Sequence, residues 1–378
     1  MSEAAAPVKV DAMADAALDH RFMQLALALG RRGLGRTWPN PAVGAVVVKD
    51  GVIVGRGWTQ PGGRPHAETE ALKRAGKQAK GATIYVTLEP CSHHGKTPPC
   101  VDAIVRAGIA RVVSALEDPN PEVAGQGYAK LRERGIAVET GLGAEEAARQ
   151  HAGHIRRMRE GRPQVLLKLA ASADGKAGLP GRKPALITGD AARARVHQMR
   201  AESDAILIGV GTVLSDDPHL TCRLPGMIEQ SPVRVILDAK LRMPLATSLV
   251  GTARETPTWV FGASGTSPMA EDILKAKGVE VFRVEAKAGL LDLVAVLKIL
   301  AGRGITRLMV EGGPTVAAAF VQADLVDEVA LFRSPNELGA GIDALDGLPL
   351  TTLTKSPRLK FVATEAVGGD TLELFERV

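Results

Sequence analysis

Residues 64–100, RPHAETEALKRAGKQAKGATIYVTLEPCSHHGKTPPC, are the stretch around which the chain must fold. His66 and Glu68 lie near its start, and Cys91 and Cys100, each preceded by a proline, lie towards its end. One imidazole and two thiolates suit zinc, and three protein ligands leave the fourth tetrahedral position open for water. We therefore expect a catalytic zinc centre in which Glu68 is free to carry protons.

Two interpretations of this stretch involve no catalysis. A structural zinc needs a fourth ligand, and His93 or His94, between the two cysteines, are the nearest candidates. Glu68 would lie in the first turn of a helix predicted over residues 66–75, where it could simply complement the helix dipole. If the zinc is catalytic, His93, His94 and Lys96 become candidates for a loop that contacts the substrate.

Length and composition indicate two domains with aliphatic cores. The chain has 378 residues, of which 45% are apolar and only 3% aromatic. A formal charge of +5 fits phosphorylated ligands, although many proteins with no anionic partner carry a similar charge. No dense Lys/Arg run lies beside stacking aromatics, so we expect no nucleic-acid partner.

The cysteine count, the amino terminus and the hydropathy of the chain together point to the reducing cytoplasm. The three cysteines include Cys222 besides the two candidate ligands, and this count does not form a disulfide framework. Residues 1–17 lack the pattern of a signal peptide, and no stretch is long and apolar enough to cross a membrane. We expect a cytoplasmic protein with no membrane partner, in which residues 1–18 form a flexible tail.

In the first half, predicted strands alternate with predicted helices. This alternation predicts a three-layer α/β domain with a largely parallel core. A thiol at a helix start, as expected for Cys100, should have a lowered pKa. Asn40, between two prolines, either closes a turn or hydrogen-bonds the edge of a base. The predicted helices span 19–33, 66–75, 100–107 and 125–134, and the strands span 43–48, 52–58, 82–88, 111–116 and 136–140.

Four segments of this half resemble the riboflavin-biosynthesis pyrimidine deaminase of the cytidine deaminase superfamily. The general nucleobase-deaminase signature has two residues between its cysteines; the eight found here are the pattern of this branch. The resemblance implies zinc bound by His66, Cys91 and Cys100, Glu68 as proton carrier, and a substrate contact at Asn40. The segments are 40–44 (NPAVG), 66–68 (HAE), 87–100 (TLEPCSHHGKTPPC) and 118–121 (DPNP).

A helix predicted over residues 144–160 ends at Gly161-Arg162-Pro163, where we place the domain boundary. The first domain would span 19–160 and the second 164–378. The second half again alternates strands and helices, which favours another α/β domain. Its predicted strands are 165–171, 205–210, 233–237, 259–261, 279–284, 307–310, 327–332 and 371–375, and its helices are 190–202, 292–301 and 314–322.

Two features of the second half allow more than one interpretation. Lys168 interrupts an apolar run, so it either extends from an edge strand or faces a ligand. Gly312 and Gly313, between a strand and a helix, form either a tight turn or a cradle for a pyrophosphate. No G-x-G-x-x-G fingerprint follows a strand, so a Rossmann fold is not predicted.

Three segments resemble the riboflavin-pathway reductase domain, which has a dihydrofolate-reductase-like fold: 168–175 (KLAASADG), 211–218 (GTVLSDDP) and 310–315 (VEGGPT). The resemblance implies two sets of contacts. Those to NADPH are Ala170, Thr212, Asp216, Gly313, Pro314 and Thr315. Those to the substrate are Lys168, Arg200, Leu220, Arg223 and Glu311. The family's serine and tryptophan contacts are replaced here by Pro184 and Leu186.

From about residue 20 to 378 the chain therefore resembles a bifunctional deaminase–reductase. The resemblance implies zinc-dependent hydrolytic deamination of a phosphorylated diaminopyrimidine, followed by NADPH-dependent reduction of its ribosyl group. A nucleic-acid-editing deaminase and a non-catalytic binding protein with a structural zinc are the competing interpretations. The sequence leaves the oligomeric state open, including a homo-oligomer.

Overall fold

The computed structural model describes residues 12–95, 97–121, 123–180 and 185–378. The chain separates into two compact units, Met1–Ile155 and Arg156–Val378. The division falls within the helix Ala152–Glu160, slightly before the predicted break at Gly161-Arg162-Pro163. The functional limits of the two domains stay a prediction.

The described part of the first unit is a five-stranded sheet with helices on both faces. The strand order is β2-β1-β3-β4-β5, for β1 (Gly44–Lys49), β2 (Val52–Trp58), β3 (Thr83–Val86), β4 (Arg111–Ser114) and β5 (Ala137–Thr140). The helices are α1 (Ala12–Arg31), α2 (Ala67–Ala75), α3 (Cys100–Ala107), α4 (Gln126–Glu133), α5 (Ala144–Gln150) and α6 (Ala152–Glu160).

This sheet is mixed, whereas the sequence predicted a largely parallel core. β3 pairs with β4, and β4 with β5, in parallel, but β1 pairs with β2 and with β3 antiparallel. Side chains of β1 alternate between the faces. Ala45 and Val47 join the core beneath α2 and α3, and Val46 joins the core beneath α1. The three predicted layers are therefore present.

Two helix predictions in this unit differ from the structure. Helix α1 begins at Ala12, before the predicted residue 19. The flexible tail stays a prediction, and residues 1–11 of it lie outside the described residues. The helix predicted over 144–160 is divided at His151, whose Nε2 lies 3.1 Å from the Thr87 hydroxyl. This buried contact, which helical periodicity does not reveal, lies at the break.

Helix α2 lies unusually close to strand β2 because β2 carries glycines on the facing side. A Cβ atom at Gly57 would lie 2.4 Å from the carbonyl oxygen of Ala67, and one at Gly55 would lie 2.2 Å from that of Ala71. Such distances are far below van der Waals contact, so only glycine allows this approach. The two glycines thereby fix the position of the helix that carries Glu68.

The second unit is built on a nine-stranded sheet in the order β11-β10-β9-β8-β14-β6-β15-β18-β17. The strands are β6 (Gln164–Ala171), β7 (Lys176–Gly178), β8 (Ala205–Gly209), β9 (Val233–Leu237), β10 (Thr258–Ala263), β11 (Glu280–Val284), β12 (Ala286–Lys287), β13 (Leu290–Leu291), β14 (Arg307–Val310), β15 (Glu328–Arg333), β16 (Ile342–Asp343), β17 (Leu359–Val367) and β18 (Asp370–Arg377). The helices are α7 (Asp190–Ala201), α8 (Val210–Asp216), α9 (Ser248–Gly251), α10 (Pro268–Ala276), α11 (Leu293–Gly302), α12 (Pro314–Gln322) and α13 (Thr351–Thr354).

Parallel pairing runs from β11 to β15, and the antiparallel strands β18 and β17 complete one edge. Because β6 lies between β14 and β15, Lys168 is on an interior strand and its edge interpretation is wrong. Strand β17 was not predicted, since most of its residues are exposed and the apolar pattern is weak. None of the described helices is long and apolar enough to cross a membrane.

We expect Gly57→Ala to destabilise the protein by about 1–3 kcal/mol, because the added methyl group must push α2 away from the sheet. The free energy of unfolding in urea measures this directly. Gly302→Ala is the control, because a Cβ there meets no atom within 4 Å. Equal stabilities for the two variants would contradict the packing argument.

Candidate active sites

Two helix starts and one loop bring the predicted metal ligands together. His66 is the N-cap residue of α2, Cys100 is the first residue of α3, and Cys91 follows strand β3. His66 Nδ1 lies 3.3 Å from Cys100 Sγ and 3.6 Å from Cys91 Sγ. Zinc bonds of about 2.0 Å to nitrogen and 2.3 Å to sulfur at tetrahedral angles would separate these atoms by roughly 3.5 Å. The three side chains therefore fit a zinc ion.

The metal-ligand cluster found among the described residues consists of His66, Cys91 and Cys100, whose ligand atoms lie within 4.8 Å of one another. His93 and His94 are exposed in the loop between the cysteines, and neither joins it. The cluster thus offers three ligands, as an open catalytic site requires. Lys96, the remaining loop candidate, lies outside the described residues.

The pKa values of the two thiols shift in opposite directions. A hydrogen bond from the Cys100 thiol, followed by one from His66, lowers the pKa of Cys91 to about 4. The same contact with Cys91, together with burial, raises the pKa of Cys100. The prediction of a lowered pKa at Cys100 is therefore wrong. The backbone N–H of Cys100 donates to Cys91 Sγ at 3.3 Å, so the start of α3 stabilises the neighbouring thiolate instead.

Glu68 lies in the first turn of α2 beside this cluster, and only 3% of it is exposed. Burial raises the pKa of its carboxyl group, although His66 acts in the opposite direction. A raised pKa brings a carboxyl group closer to the range in which it can both accept and return a proton at neutral pH. A surface glutamate that merely complemented the helix dipole would not need this burial.

Asn40 lies against the metal cluster. Its amide nitrogen is 3.2 Å from His66 Nε2 and donates to the carbonyl oxygen of Gly63 at 2.8 Å. The chain just after Asn40 is also held in place, because the buried hydroxyl group of Thr59 accepts from the backbone N–H of Val43 at 3.0 Å. Asn40 is therefore more than a turn residue, and its proposed contact with a base remains a prediction.

The sequence reasoning missed the role of Glu89, which is two residues before Cys91. Its Oε1 accepts from the backbone N–H groups of Gly127 at 2.7 Å and Tyr128 at 3.4 Å, at the start of α4. Its Oε2 accepts from those of Asp118 at 3.1 Å and Gly125 at 2.9 Å. A buried carboxylate satisfied by backbone groups fixes the segment that carries Cys91. A glutamate directly before Pro-Cys was the available signal.

In the second unit, a cavity of about 1230 Å³ lies at the carboxyl ends of the central strands. Ligands of open α/β sheets bind at this edge. The cavity contains every residue predicted to contact NADPH or the substrate in this unit. These are Lys168, Ala170, Arg200, Thr212, Asp216, Leu220, Arg223, Glu311, Gly313, Pro314 and Thr315.

Glu311 is the electrostatic centre of this cavity. Arg200 donates to its two carboxylate oxygens at 2.9 and 2.8 Å, and Lys168 Nζ lies 3.7 Å from Oε1. Burial favours the neutral acid, but Arg200 and Lys168 outweigh it and lower the pKa of Glu311. Burial lowers the pKa of Lys168. Glu311 is therefore a fixed negative charge between two cations.

The two predicted phosphate-binding arginines differ in availability. Arg200 is 9% exposed and also donates to the Thr221 carbonyl oxygen at 3.1 Å, so its guanidinium is already engaged. Arg223 is exposed at the cavity, and its backbone N–H contacts His197 Nδ1 of α7 at 3.3 Å. Leu220, buried nearby, has a left-handed backbone with φ of 56°. Arg223 is thus the more accessible of the two arginines.

The glycine pair lies where strand β14 leads into helix α12. Gly313 is the N-cap residue of α12, and Pro314 follows as its first residue. A Cβ at Gly312 would lie 2.8 Å from that of Val316, while one at Gly313 would lie 3.4 Å from the Thr212 hydroxyl. Gly312 therefore permits tight packing, and Gly313 leaves the helix start accessible from the cavity. Gly312 thus fits the interpretation as a tight turn, and the pyrophosphate cradle at Gly313 stays a prediction.

Of the two positions that depart from the family pattern, Pro184 lies outside the described residues. Leu186 lines the cavity and is 79% exposed. Leu186 stands where the family has a tryptophan. Its apolar side chain adds surface to the cavity but cannot form a hydrogen bond.

The two units match two families. Residues 16–116 match the cytidine and deoxycytidylate deaminase zinc-binding region, and residues 163–372 match the RibD C-terminal domain. The class of protein is therefore a zinc-dependent deaminase followed by a reductase.

Relatives match both units together. The riboflavin biosynthesis protein RibD of Bacillus amyloliquefaciens is 44% identical over 355 residues, covering 93% of this chain and 95% of that protein. The RibD of Escherichia coli is 43% identical, covering 93% and 97%. The structure of Acinetobacter baumannii RibD superposes with a TM-score of 0.85 at 37% identity, covering 96% and 99% of the two chains. The chain belongs to the RibD family of bifunctional riboflavin-biosynthesis enzymes.

Family membership confirms the predicted fold class and the pair of activities. The chain is a hydrolase and an oxidoreductase, with zinc and NADPH as its cofactors. A deaminase–reductase from Thermotoga maritima has the same two-unit fold, with a TM-score of 0.83 and 37% identity.

We expect Glu89→Gln to destabilise the protein by about 1–3 kcal/mol, because an amide nitrogen would replace one of the two oxygens that accept from backbone N–H groups. Chemical unfolding of the purified protein measures the change. Glu133→Gln, at an exposed position of helix α4, removes the same charge and should have little effect. A similar loss in both variants would show that the hydrogen bonds of Glu89 are not responsible.

Proposed function

We propose that the first unit deaminates 2,5-diamino-6-ribosylamino-4(3H)-pyrimidinone 5′-phosphate, and that the second reduces the product, 5-amino-6-(5-phosphoribosylamino)uracil, to its ribityl form. The observation that carries this proposal is the cluster of three ligands beside a buried glutamate. The Thermotoga maritima relative is described as the deaminase and reductase of these two compounds.

In the deamination, His66, Cys91 and Cys100 hold the zinc, and Glu68 moves the protons. Zinc held by these residues would lower the pKa of a water in its open position towards about 7. Glu68 accepts a proton from the water that adds to C2 of the pyrimidine, and it returns the proton to the departing ammonia. The overall change replaces an amino group by oxygen. Asn40, at the same cluster, contacts the pyrimidine.

In the reduction, Lys168, Arg200, Leu220, Arg223 and Glu311 hold the substrate. Bound NADPH would supply a hydride to C1′ of the opened ribose. Lys168 and Glu311 provide fixed charges beside that carbon, and Arg223 binds the phosphate through paired charged hydrogen bonds. The residues that would hold the cofactor are Ala170, Thr212, Asp216 and those of the Gly313-Pro314-Thr315 turn.

We further propose domain limits of 19–160 and 164–378 for the two activities, and a cytoplasmic location. The metabolite substrate accounts for the cationic cavity, so no nucleic-acid partner is invoked. Assembly as a homo-oligomer is compatible with the proposal.

Glu68→Gln should keep the zinc and reduce deamination by about 10²–10⁴-fold, because the amide cannot carry a proton. Cys91→Ala should lose both the metal and the activity. Zinc content together with ammonia release from the pyrimidine distinguishes these outcomes. Glu70→Gln, two residues further along the same helix, is the control and should behave like the wild type. Near-normal ammonia release by Glu68→Gln would disprove the assigned role.

Arg223→Lys should raise the KM for the pyrimidine roughly tenfold, because lysine cannot form the forked pair of hydrogen bonds to a phosphate. Its affinity for NADPH should not change. Gly313→Val should weaken NADPH and spare the pyrimidine, because the side chain would extend from the start of α12 into the cavity.

Each of these two variants is the control for the other, and titration of both with NADPH and with the pyrimidine provides the test. Loss of NADPH affinity in Arg223→Lys, with an unchanged KM for the pyrimidine, would mean that the two pockets are assigned the wrong way round.

A further inference from the structure

The loop between the two cysteine ligands has little backbone support of its own. It joins Cys91 to Cys100 and is described for residues 92–95 and 97–99. None of the described backbone–backbone hydrogen bonds involves residues 93–95 or 97, and these residues are exposed. Because the loop starts and ends at metal ligands, it borders the metal cluster. Side chains from other segments must therefore set its position.

Helix α4 holds the start of the loop. Lys130 Nζ donates to the carbonyl oxygen of Ser92 at 2.8 Å, and Ser92 itself is buried. This contact fixes the first residue after Cys91. The exposed residues that follow depend on a second contact.

Arg64 makes that second contact. Its Nη1 donates to the hydroxyl group of Thr97. A Cβ atom at Gly95 would lie 3.5 Å from Arg64 Nη2, so the guanidinium also lies against the middle of the loop. Arg64 forms no ion pair with any acidic side chain that the structure describes, and its guanidinium is therefore directed to the loop.

The segment that carries Arg64 is itself firmly held. The carbonyl oxygen of Gly63 accepts from the Asn40 amide at 2.8 Å, and that of Pro65 accepts from the backbone N–H of Gln60 at 3.0 Å. The next residue, His66, is a metal ligand and the N-cap residue of α2. Arg64 thus connects a fixed part of the metal centre to a loop that lacks backbone support.

We propose that Arg64 is a positioning residue for the deamination: by binding Thr97, it holds the loop between the cysteines in the conformation that receives the pyrimidine. This inference rests on the deamination proposed for the first unit. Without the contact, the loop would become ordered only when the substrate binds, and the conformational entropy lost at that step would weaken binding. Other contacts hold the metal ligands and Glu68, so the chemical step should not depend on Arg64.

The test measures KM and kcat for ammonia release from the pyrimidine, using the full-length zinc-loaded protein. Arg64→Met keeps the apolar stem of the side chain but removes its donors, and Thr97→Val keeps the branched shape but removes the hydroxyl group. Each variant should raise KM roughly tenfold, as expected for loss of a hydrogen bond to a charged group, with kcat and zinc content near the wild-type values. The double variant should have the same KM as either single variant, because both remove the same contact.

Two further variants serve as controls. Arg64→Lys can still donate to the hydroxyl group and should recover part of the affinity for the pyrimidine. Lys73→Met removes one positive charge from an exposed position of helix α2 that has no polar side-chain contact among the described residues. Its KM should stay near the wild-type value, which separates the contact from a general effect of charge.

Several outcomes would overturn the role of Arg64. A wild-type KM in Thr97→Val, or multiplied effects in the double variant, would show that the two side chains act independently. If Arg64 instead bound the phosphate of the substrate, only Arg64→Met would raise KM, and the difference would disappear with the dephosphorylated pyrimidine. Loss of zinc from both single variants would mean that the contact supports the metal centre. A wild-type protein that released no ammonia would instead overturn the proposed deamination.

Discussion

The first unit depends on one geometric constraint: three ligand atoms from separate elements must meet within 4.8 Å. Helix α2 brings His66 because glycines in strand β2 allow the helix backbone to approach the sheet. Glu89 accepts from backbone N–H groups and so holds the segment that carries Cys91. Cys100 is the first residue of α3, and its backbone N–H donates to the sulfur of Cys91. Packing and backbone hydrogen bonds therefore fix the site, as a catalytic metal centre requires.

The second unit depends on a buried charge cluster at the ends of parallel strands. Glu311 follows β14, Lys168 is in β6, and Arg200 reaches Glu311 from helix α7. A carboxylate in this position is stable only because two cations compensate for its burial. Parallel pairing brings these side chains together, since adjacent parallel strands end at the same edge of the sheet. The strand order thereby sets which residues share the cavity.

Much of this arrangement could be predicted from the sequence, and the failures share a cause. The ligands His66, Cys91 and Cys100 were predicted because their chemistry and their local sequence agree. A lowered pKa was predicted for Cys100, but it is the pKa of Cys91 that is lowered, because its sulfur accepts from the Cys100 thiol, from His66 and from the backbone N–H of Cys100. Lys168 allowed two interpretations until the strand order was known. The role of Glu89 depends on contacts with residues more than 25 positions away, which no local pattern encodes.

The environments of Glu68 and Glu311 suit them to different tasks. Burial alone disfavours the charged form of both. Around Glu311, Arg200 and Lys168 outweigh burial and lower the pKa, so the carboxylate keeps its charge and can orient other groups. Around Glu68, burial is the largest influence, and the opposing effect of His66 does not overcome it, so the pKa is raised. A carboxyl group that exchanges its proton readily suits hydrolytic deamination, whereas one with a permanent charge suits a hydride transfer in which the protein only positions the reactants.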